Sequence, residues 1–432
     1  MRKKNKPLNI IFDASTLVEN MTLEVRGGIY NVAYNILRQF GKSVYYRITL
    51  LIPSGTVFSN KNKIEIFLSS FPVITISEFE KSEFHKNIDF HINQIIKTNN
   101  VFIIIVRLLK IFKNLIMILA FDKRTKIIKN TNVFFSPVYT IPEIIRNYPW
   151  IKSFHILYDC IASLRNIPSH IPLDSQHWFT KMIQNLNRET YYFCISECTK
   201  NDFLKNFPDK LDENKMFVTP IASSNNFVAN YDNMALKNIL NKYGVTQNSG
   251  DSYIFSLCSF EPRKNLIFTI RCFIKFIKKH RIDNMYFYMG GGHFDQYINQ
   301  FDHEMTEFSG HQDKIIRLGY VDDEDINILY SNSLFFTYLS QYEGFGMPPL
   351  EAMQAGTPVI TSNNSSLPEV VGDAAVTITY NDEEACIKAF EDFYFNENLR
   401  KEYIAKGIER AKHFSWEKTF KLMSDEILKI VT

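Results

Sequence analysis

Short apolar runs alternate with longer amphipathic stretches along most of this chain of 432 residues. Such short runs are typical of parallel strands buried on both faces, and the amphipathic stretches between them are typical of helices that cover a sheet. The alternation therefore predicts an α/β protein with two parallel sheets rather than a β-sandwich or a helical bundle. The predicted strands are 10–12, 48–52, 133–135, 154–157 and 192–195 in the first half, and 253–257, 285–289, 315–318, 334–337 and 358–361 in the second.

A polar, irregular segment at 225–251 separates the two predicted sheets and contains a candidate helix at 233–243. We therefore place a first domain at 1–225 and a second domain at 226–415. The last segment, 416–432, follows after the second sheet is complete and has the periodicity of an amphipathic helix. We expect this helix to pack back on the first domain.

Charge and cysteine content restrict the partners and the compartment. The 49 Lys and Arg residues nearly balance the 46 Asp and Glu residues, so we expect no nucleic-acid partner, whose phosphates would demand a basic protein. The six cysteines include no C-x-x-C pair, which argues against a disulfide framework and favours a reducing cytoplasm. The basic N-terminus is followed by a strand-like run at 8–13 without a small-residue cleavage site, so we predict no signal peptide.

The most apolar stretch, 101–121, is long enough to cross a bilayer but carries Arg107, Lys110 and Lys113 near its centre. These charges argue against a spanning helix. Their spacing places them on one side of a helix, so the segment is either a basic amphipathic helix on an anionic membrane surface or an ordinary helix packed on a sheet. Both interpretations stay open.

Three loops that follow predicted strands could bind phosphate. Gly27–Gly28 precedes the helical run 30–40, so its amides would lie at a helix N-terminus, although a plain turn explains the glycines equally well. Gly290–Gly292 is only a permissive turn without other support. Arg263–Lys264 follows the strand 253–257, at the sheet edge where α/β proteins bind ligands. These two cations could hold a diphosphate, or they could simply be solvated at the start of a helix.

The segment 340–360 is the most informative part of the chain. Pro348–Pro349 suits the start of a short helix and Gly356 suits its end. Gly344 and Gly346 leave the loop before this helix without side chains, so that backbone amides can approach a ligand closely. Glu343 in the loop and Glu351 in the helix could then accept hydrogen bonds from the hydroxyl groups of one polar ligand.

With these residues the second half resembles the retaining, nucleotide-sugar-dependent glycosyltransferases of family 4. The signature of that family matches the segment from Glu343 to Ile360. The other matching segments are Phe260–Leu266, Leu318–Val321, Ser362–Val370 and Phe414–Trp416 in the second half, and Gly27–Gly28, Tyr158–Asp159 and Ile195–Lys200 in the first. The resemblance implies the GT-B fold, in which a Rossmann-like acceptor domain and a Rossmann-like nucleotide-sugar domain face each other across a cleft.

The resemblance also implies roles for individual residues. Lys264, with Arg263, would bind the donor diphosphate, Glu351 would hold the nucleotide ribose, and Glu343 would meet the hydroxyls of the transferred sugar. The remaining donor contacts implied by the family are Gly27, Gly28, Tyr320, Val321, Ser340, Gly344, Phe345 and Gly346. The family implies transfer with retained anomeric configuration and without an enzymic nucleophile, because the departing diphosphate itself takes the proton of the acceptor.

The chain departs from the family at the catalytic pair of the first domain. Family members place a His-Asp pair after a strand, where this chain has Tyr158–Asp159, with His155 three residues earlier. Asp159 is therefore a candidate catalytic residue, and whether Tyr158 or His155 replaces the usual histidine stays open. The Pro common in the family before Ser340 is Leu339 here, which we interpret as a packing change.

We predict no metal and no other cofactor. Asp322–Asp325 contains an Asp-x-Asp pattern, but these acids are expected to cap the helix 326–330 and to favour its dipole. Ser366–Glu369 has the spacing of a capping box, so Glu369 is expected to be structural. The ten histidines form no pair with metal-ligand spacing.

We therefore expect a cytoplasmic hexosyltransferase, peripheral at the inner face of the cell membrane. Its substrates would be a nucleotide sugar and a lipid-linked glycan of O-antigen or capsule-type synthesis, and GDP-mannose is the first choice because 261–265 resembles mannosyl-type relatives. One alternative is a sugar-nucleotide 2-epimerase, against which the complete segment Glu343–Gly346 argues. The other is a non-catalytic nucleotide-sugar-binding scaffold, which the missing histidine before Asp159 favours.

Overall fold

The computed structural model describes residues 6–20, 28–56, 58, 63–75, 127–164, 167, 177–246, 248, 250–292 and 295–432. Gly27 and the predicted helix 101–121 lie outside the described residues. The strands are β1 Leu8–Asp13, β2 Tyr46–Ile52, β3 Val73–Thr75, β4 Val133–Ser136, β5 Lys152–Leu157, β6 Tyr191–Cys194, β7 Met216–Val218, β8 Ser252–Leu257, β9 Met285–Gly290, β10 Ile315–Gly319, β11 Phe335–Tyr338, β12 Val359–Ser362 and β13 Val376–Ile378.

Helices follow most of these strands, as the amphipathic stretches predict. They are α1 Ser15–Glu19, α2 Gly28–Lys42, α3 Lys63–Ser69, α4 Glu143–Arg146, α5 Trp178–Asn185, α6 Glu197–Asn206, α7 Asn233–Lys242, α8 Leu266–His280, α9 Asp295–Met305, α10 Asp323–Ser331, α11 Met347–Gln354, α12 Leu367–Val371, α13 Glu383–Phe395, α14 Glu397–Ala411 and α15 Trp416–Val431. Within the described part of the chain, no helix combines the length and the hydrophobicity needed to span a bilayer.

The strands of the described residues form two sheets. The first sheet has the order β3-β2-β1-β4-β5-β6-β7 and the second has the order β10-β9-β8-β11-β12-β13. Strands β1 to β5 pair in parallel, and so do all neighbours of the second sheet. The predicted α/β class with two parallel sheets is confirmed.

By packing, the described chain divides into two compact units. Unit 1 comprises Met1–Ile156, Lys181–Phe193 and Met423–Thr432, and unit 2 comprises Leu157–Thr180 and Cys194–Leu422. Within unit 1, Ser424 in the middle of α15 forms a 2.6 Å hydrogen bond with Tyr46 of β2 through their hydroxyl oxygens. The predicted domain boundary at residue 225 stays a prediction.

Aromatic side chains fill one face of the first sheet and aliphatic ones the other. Phe12 of β1 stacks on Phe135 of β4 with ring centroids 5.4 Å apart, and Phe154 stacks in the same way on Phe193 at 5.5 Å. The alternate residues point to the opposite face, where a cluster that is aliphatic except for Phe134 forms from Ile11, Leu51, Ile74, Ile128, Phe134, Ile141, Ile145 and Ile151. Both faces of the sheet are therefore buried, which explains the near-continuous apolar runs.

Candidate active site

Two loops of unit 2 meet at the carboxyl edge of the second sheet. Strand β8 leads into a short 3-10 turn at Pro262–Lys264, and β11 leads into the loop before α11. Because β8 and β11 are paired neighbours, both loops leave the sheet side by side. The amide of Gln341 donates to the carbonyl of Arg263 at 2.8 Å, and the hydroxyl of Ser340 donates to the same carbonyl at 3.2 Å.

This junction holds a buried cluster of charges, which we call the Glu343 cluster: Arg263, Lys264, Tyr338 and Glu343. The oxygen Oε1 of Glu343 accepts from Lys264 Nζ at 2.7 Å and from Tyr338 Oη at 2.9 Å. Arg263 Nη1 lies 3.0 Å from the same oxygen. The side chains of Arg263, Lys264 and Glu343 are only 9%, 10% and 11% exposed. The structure thus brings together three of the four residues predicted to be catalytic.

The charges of the cluster determine the protonation of Glu343. Burial alone would raise the pKa of this carboxyl, but the charges of Arg263 and Lys264 outweigh burial and lower the pKa to about 2. Glu343 is therefore ionised at any physiological pH. Arg263 also lies 3.5 Å from the buried carboxylate of Glu261, so the charges balance, and the two cations can still turn donors to an anionic ligand such as a diphosphate.

Asp159, the fourth residue predicted to be catalytic, follows β5 and lies beside the loop of Glu343. A Cβ atom placed on Gly344 would lie 2.6 Å from the carbonyl oxygen of Tyr158 and 2.8 Å from Cβ of Asp159, so only glycine fits there. Burial raises the pKa of Asp159, while the amide of Ile161 and the charge of Arg263 act in the opposite direction. Glycine at 344 is what allows Asp159 to approach the Glu343 cluster.

Two hydroxyl groups that the sequence did not identify hold this contact in place. Ser196 Oγ donates to the carbonyl of Gly344 at 2.7 Å. Thr199 Oγ1 bonds the carbonyl of Tyr158 at 2.8 Å and lies 3.2 Å from that of Gly344. The signal was present, because Ser196 and Thr199 belong to the family-like segment Ile195–Lys200, but nothing in the sequence paired that segment with Gly344.

Replacing Gly344 by Ala is expected to lower kcat about a hundredfold or more while leaving nucleotide affinity within a few-fold of wild type. The added methyl group must push the Tyr158–Asp159 backbone away from the Glu343 cluster, and small displacements of reacting groups cost about this much. The matched control is Gly292→Ala, since a Cβ at Gly292 meets nothing within 4 Å. Steady-state kinetics and nucleotide titration of both variants check the expectation. Equal kcat values for the two variants would contradict it.

Of the two candidates for the missing histidine, His155 is a core residue of unit 1. Its ring packs edge-to-face on Tyr192 with centroids 6.2 Å apart, and burial lowers its pKa to about 4, so it is neutral. Tyr158 has a buried hydroxyl without a hydrogen-bond partner among the described residues, and burial raises its pKa. Neither side chain supplies a charge in the way that a protonated histidine does.

Glu351 lies near the middle of α11 and is the second acid of the family signature. Its Oε2 accepts from Tyr330 Oη at 3.2 Å. Burial raises the pKa of this carboxyl to about 7. Among the described residues no neighbouring cation lowers the pKa of Glu351 as two cations lower that of Glu343, so part of the Glu351 carboxyl population stays protonated at neutral pH.

The remaining predicted donor contacts are placed as follows. Tyr320, just after β10, is 42% exposed, whereas Val321 is buried and lies against Gly290, whose added Cβ would be 2.9 Å from Val321 Cγ2. Gly346 has φ +121°, and Phe345 packs its ring edge-to-face on Phe414 at 5.8 Å. Phe345 can therefore contact a donor only through its backbone. Gly28 begins α2 in unit 1 and is exposed.

The capping-box prediction for Glu369 is wrong. Ser366 has helical backbone angles of −81° and −9° and makes no side-chain cap bond, whereas a capping box needs an extended residue there. Its hydroxyl instead donates to the carbonyls of Glu343 and Phe345 at 2.9 and 2.7 Å. Glu369 is structural, but it caps a different helix: its two oxygens accept from the amides of Glu197 and Cys198 at the start of α6, both at 2.7 Å.

Replacing Glu369 by Ala is expected to lower the free energy of unfolding by about 1–2 kcal/mol, because two amides of α6 lose their acceptor and the helix dipole loses its anion. Urea denaturation measures the change. The control is Glu402→Ala, whose carboxylate meets, among the described residues, only the half-exposed Lys406 at 2.7 Å. Equal midpoints for the two variants would argue against the capping role.

The acids at Asp322–Asp325 are engaged by a lysine. Lys242 Nζ lies 2.6 Å from Asp322 and 2.7 Å from Asp325. Three of the acids occupy the first turn of α10, where they favour its dipole as predicted, but Asp322 at the N-cap makes no side-chain cap bond, so the predicted capping is wrong. In the ranges that the structure describes, no group of three His, Cys, Asp or Glu residues could hold a metal ion.

Comparison with known proteins now identifies the second half. Residues 241–410 match the family described as glycosyl transferases group 1, and these residues include the whole Glu343 cluster. This part of the chain is similar to that family. The predicted resemblance is confirmed, and it indicates a glycosyltransferase.

Curated relatives align with about two thirds of the chain. The O-antigen chain mannosyltransferase B of Escherichia coli is 29% identical over 287 residues, which are 66% of this chain and 71% of that protein. The serotype-specific mannosyltransferase WbdA of Escherichia coli is 23% identical over 298 residues, which are 68% of this chain but only 36% of that longer protein.

Solved structures align with the whole chain. A glycosyltransferase from Rickettsia africae has a TM-score of 0.62 at 16% identity and covers 99% of this chain and 100% of its own. WaaG, a glycosyltransferase involved in lipopolysaccharide biosynthesis, has a TM-score of 0.61 at 13% identity and covers 97% and 99%. These likenesses confirm the predicted GT-B fold.

Proposed function

We propose that this glycosyltransferase moves a mannosyl residue from GDP-mannose to a lipid-linked glycan in the synthesis of an O-antigen or capsule-type polysaccharide. The Glu343 cluster carries the proposal, because it places a permanently ionised carboxylate and two cations at the sheet edge where a nucleotide sugar would bind. The choice of mannose is supported by the names of the relatives, which are O-antigen and serotype-specific mannosyltransferases. We place the reaction in the cytoplasm, at the inner face of the membrane.

In this mechanism the donor diphosphate and the carboxylate of Glu343 share the two cations of the cluster. Lys264 and Arg263 now share Oε1 of Glu343, and both can turn part of their hydrogen-bonding capacity to phosphate oxygens, since they carry more donors than one carboxylate oxygen uses. As the bond to the sugar breaks, negative charge grows on the diphosphate, and the two fixed cations stabilise it. We propose that this charge makes transfer independent of a metal ion.

Glu343, freed in part from its cations, accepts hydrogen bonds from the hydroxyls of the mannose and faces the positive charge that develops on its ring. Glu351 accepts the two ribose hydroxyls. The acceptor attacks from the side of the leaving diphosphate, and a diphosphate oxygen takes its proton, so the anomeric configuration is retained. Asp159, held beside Gly344, positions the acceptor hydroxyl or the sugar.

A panel of donors tests this proposal. Purified protein is heated with GDP-mannose, UDP-glucose, UDP-galactose, UDP-N-acetylglucosamine or dTDP-rhamnose, and release of nucleotide is followed with and without EDTA. We expect GDP-mannose alone to raise the melting temperature, with slow, EDTA-insensitive release of GDP and of a sugar of retained configuration. Stabilisation by another donor would overturn the choice of mannose. Conversion of the donor to its 2-epimer without acceptor would indicate an epimerase, and failure of every donor and nucleotide to bind would indicate a scaffold.

A further inference from the structure

The amino-terminal edge of the first sheet is rich in cations between β2 and β5 within unit 1. Four of the segments that reach this edge are 6–8, 41–47, 127–132 and 146–152, and they precede or begin β1, β2, β4 and β5. Their cations are Lys6, Lys42, Arg47, Lys129, Arg146 and Lys152, and the four segments contain no Asp or Glu. We call this surface the basic edge. Acids lie beside this stretch, at Glu189 before β6 and at Asp425 of α15, whose charge acts on Tyr46. The chain as a whole is nearly balanced in charge, so the basic edge is a local concentration.

Strand register brings the four segments to one level. Leu8 pairs with Tyr46, Ile10 with Val133, and Val133 with Lys152. Backbone hydrogen bonds continue this row, from Leu8 to Tyr45, from Asn132 to Asn9 and from Lys152 to Asn132, each at 2.9 Å. With strands about 4.8 Å apart, the row from β2 to β5 spans about 15 Å. The cations therefore lie along one edge rather than around the unit.

Large apolar side chains project at both ends of this row. Val44 and Tyr45, before β2, are 81% and 58% exposed, and Trp150, before β5, is 49% exposed. Trp150 is held edge-to-face against Tyr148 with centroids 5.1 Å apart, so its exposed position is fixed by packing. Folding gains nothing from leaving these three side chains in water.

We propose that the basic edge docks on an anionic lipid bilayer. Lysine ammonium groups would meet phosphate headgroups, while Trp150 and Tyr45, each with an apolar body and one polar atom, would lie at the boundary between headgroups and acyl chains. Val44 would enter the apolar layer. The proposal rests on the proposed function only in that a lipid-linked acceptor must be met at a membrane, and its test needs neither donor nor acceptor.

The arrangement favours a membrane over an acidic protein. Lys6, Lys42 and Lys129 are exposed and make no ion pair among the described residues. Their positive charges can therefore interact with the negative potential of an anionic membrane surface. The apolar groups are single side chains at the two ends of a row of cations. A stable protein interface has its apolar residues together at its centre and its charges at the rim.

Co-sedimentation with vesicles tests the proposal. The full chain is mixed with vesicles of equal parts phosphatidylcholine and phosphatidylglycerol, or of phosphatidylcholine alone. We expect binding to the anionic vesicles only, weakened by added salt. The variant K42E/K129E should bind at least about tenfold more weakly, since each basic group at such a surface contributes a several-fold factor. The matched control K237E/K278E reverses two exposed lysines of unit 2 and should bind far better than K42E/K129E.

A second variant measures how much the aromatic side chain of Trp150 contributes to vesicle binding, separately from the lysine charges. W150A should bind the anionic vesicles several-fold more weakly while its melting temperature and its GDP affinity stay close to wild type, because Trp150 is half exposed. All of these variants leave residues 101–121 unchanged, so the losses belong to the basic edge. Binding of K42E/K129E equal to that of its control, or no binding of wild type to anionic vesicles, would overturn the proposal whatever the donor panel shows.

Discussion

Replacing Glu343 by Gln is expected to lower kcat/KM for transfer about 10²–10³-fold while the variant binds free GDP at least as tightly as wild type. Removing a fixed charge that acts on the transition state has costs of this size. Gln keeps the shape of the side chain but leaves Lys264 and Arg263 without their shared carboxylate. A diphosphate then no longer competes with Glu343 for the two cations, so product affinity should hold or rise although catalysis is lost.

The same variant should be less stable without ligand. Two cations that are about 10% exposed lose the carboxylate they share, although Arg263 keeps Glu261 at 3.5 Å, and breaking such a buried pair costs about 3–5 kcal/mol. Saturating GDP should recover part of this loss. Glu383→Gln is the matched control, because Glu383 also meets a lysine, Lys275, at 2.7 Å but with side chains 36% and 50% exposed. It should change stability by less than about 1 kcal/mol and leave kcat unchanged. Wild-type kcat in Glu343→Gln would show that the cluster serves only the fold.

The sequence sufficed for those parts of the structure that depend on local pattern. Apolar runs located the strands that are buried on both faces, and the spacing of prolines and glycines located α11. The strands β3, β7 and β13 were not predicted because each has only three residues, too few for a period to show. The family resemblance indicated Glu343, Lys264 and Glu351, yet the different protonation of the two glutamates follows from burial and neighbouring charge, which the spacing of residues in a sequence does not reveal.

Contacts between distant segments were the part that the sequence could not supply. Ser366 and Glu369 have the spacing of a capping box, but the helical backbone at Ser366 turns its hydroxyl to the loop of Glu343, and Glu369 reaches a helix that begins about 170 residues earlier in the chain. Ser196 and Gly344 are 148 residues apart. Rules such as helix capping consider only hydrogen-bond partners that are close in sequence. In the folded chain, donors and acceptors also come from distant segments.

Replacing Glu351 by Gln is expected to stabilise the protein at pH 8 by up to about 3 kcal/mol and at the same time to weaken donor binding about tenfold or more. Burial raises the pKa of Glu351 from its ordinary value of 4.5 to about 7. In the unfolded chain the carboxyl loses its proton near pH 4.5, so between pH 4.5 and 7 the folded state holds the extra proton and the free energy of unfolding falls as pH rises. Gln cannot ionise, so the free energy of unfolding of the variant does not fall in this way.

The pH dependence shows whether the gain in stability comes from removing the buried charge of Glu351. The difference between variant and wild type in urea denaturation should be near zero at pH 4.5, grow up to pH 7 and stay constant above it. Glu324→Gln is the control, since Glu324 lies exposed in the first turn of α10 and should show no such rise. An equal difference at all pH values would mean that Gln improves packing rather than removing a buried charge.

Donor binding should depend on the same proton with the opposite sign. The ionised carboxylate of Glu351 accepts hydrogen bonds from the two ribose hydroxyls more strongly than the protonated carboxyl does, so in wild type the affinity for GDP should increase as pH rises through about 7. Glu351→Gln should bind GDP weakly and with no such increase. Calorimetric titration in buffers of different ionisation enthalpy would show the proton released on binding in wild type and its absence in the variant. The ionised form of Glu351 destabilises the fold, but the ligand needs that form, so the acid at this position has a functional reason. The stability and binding measurements together distinguish this functional role from a structural one.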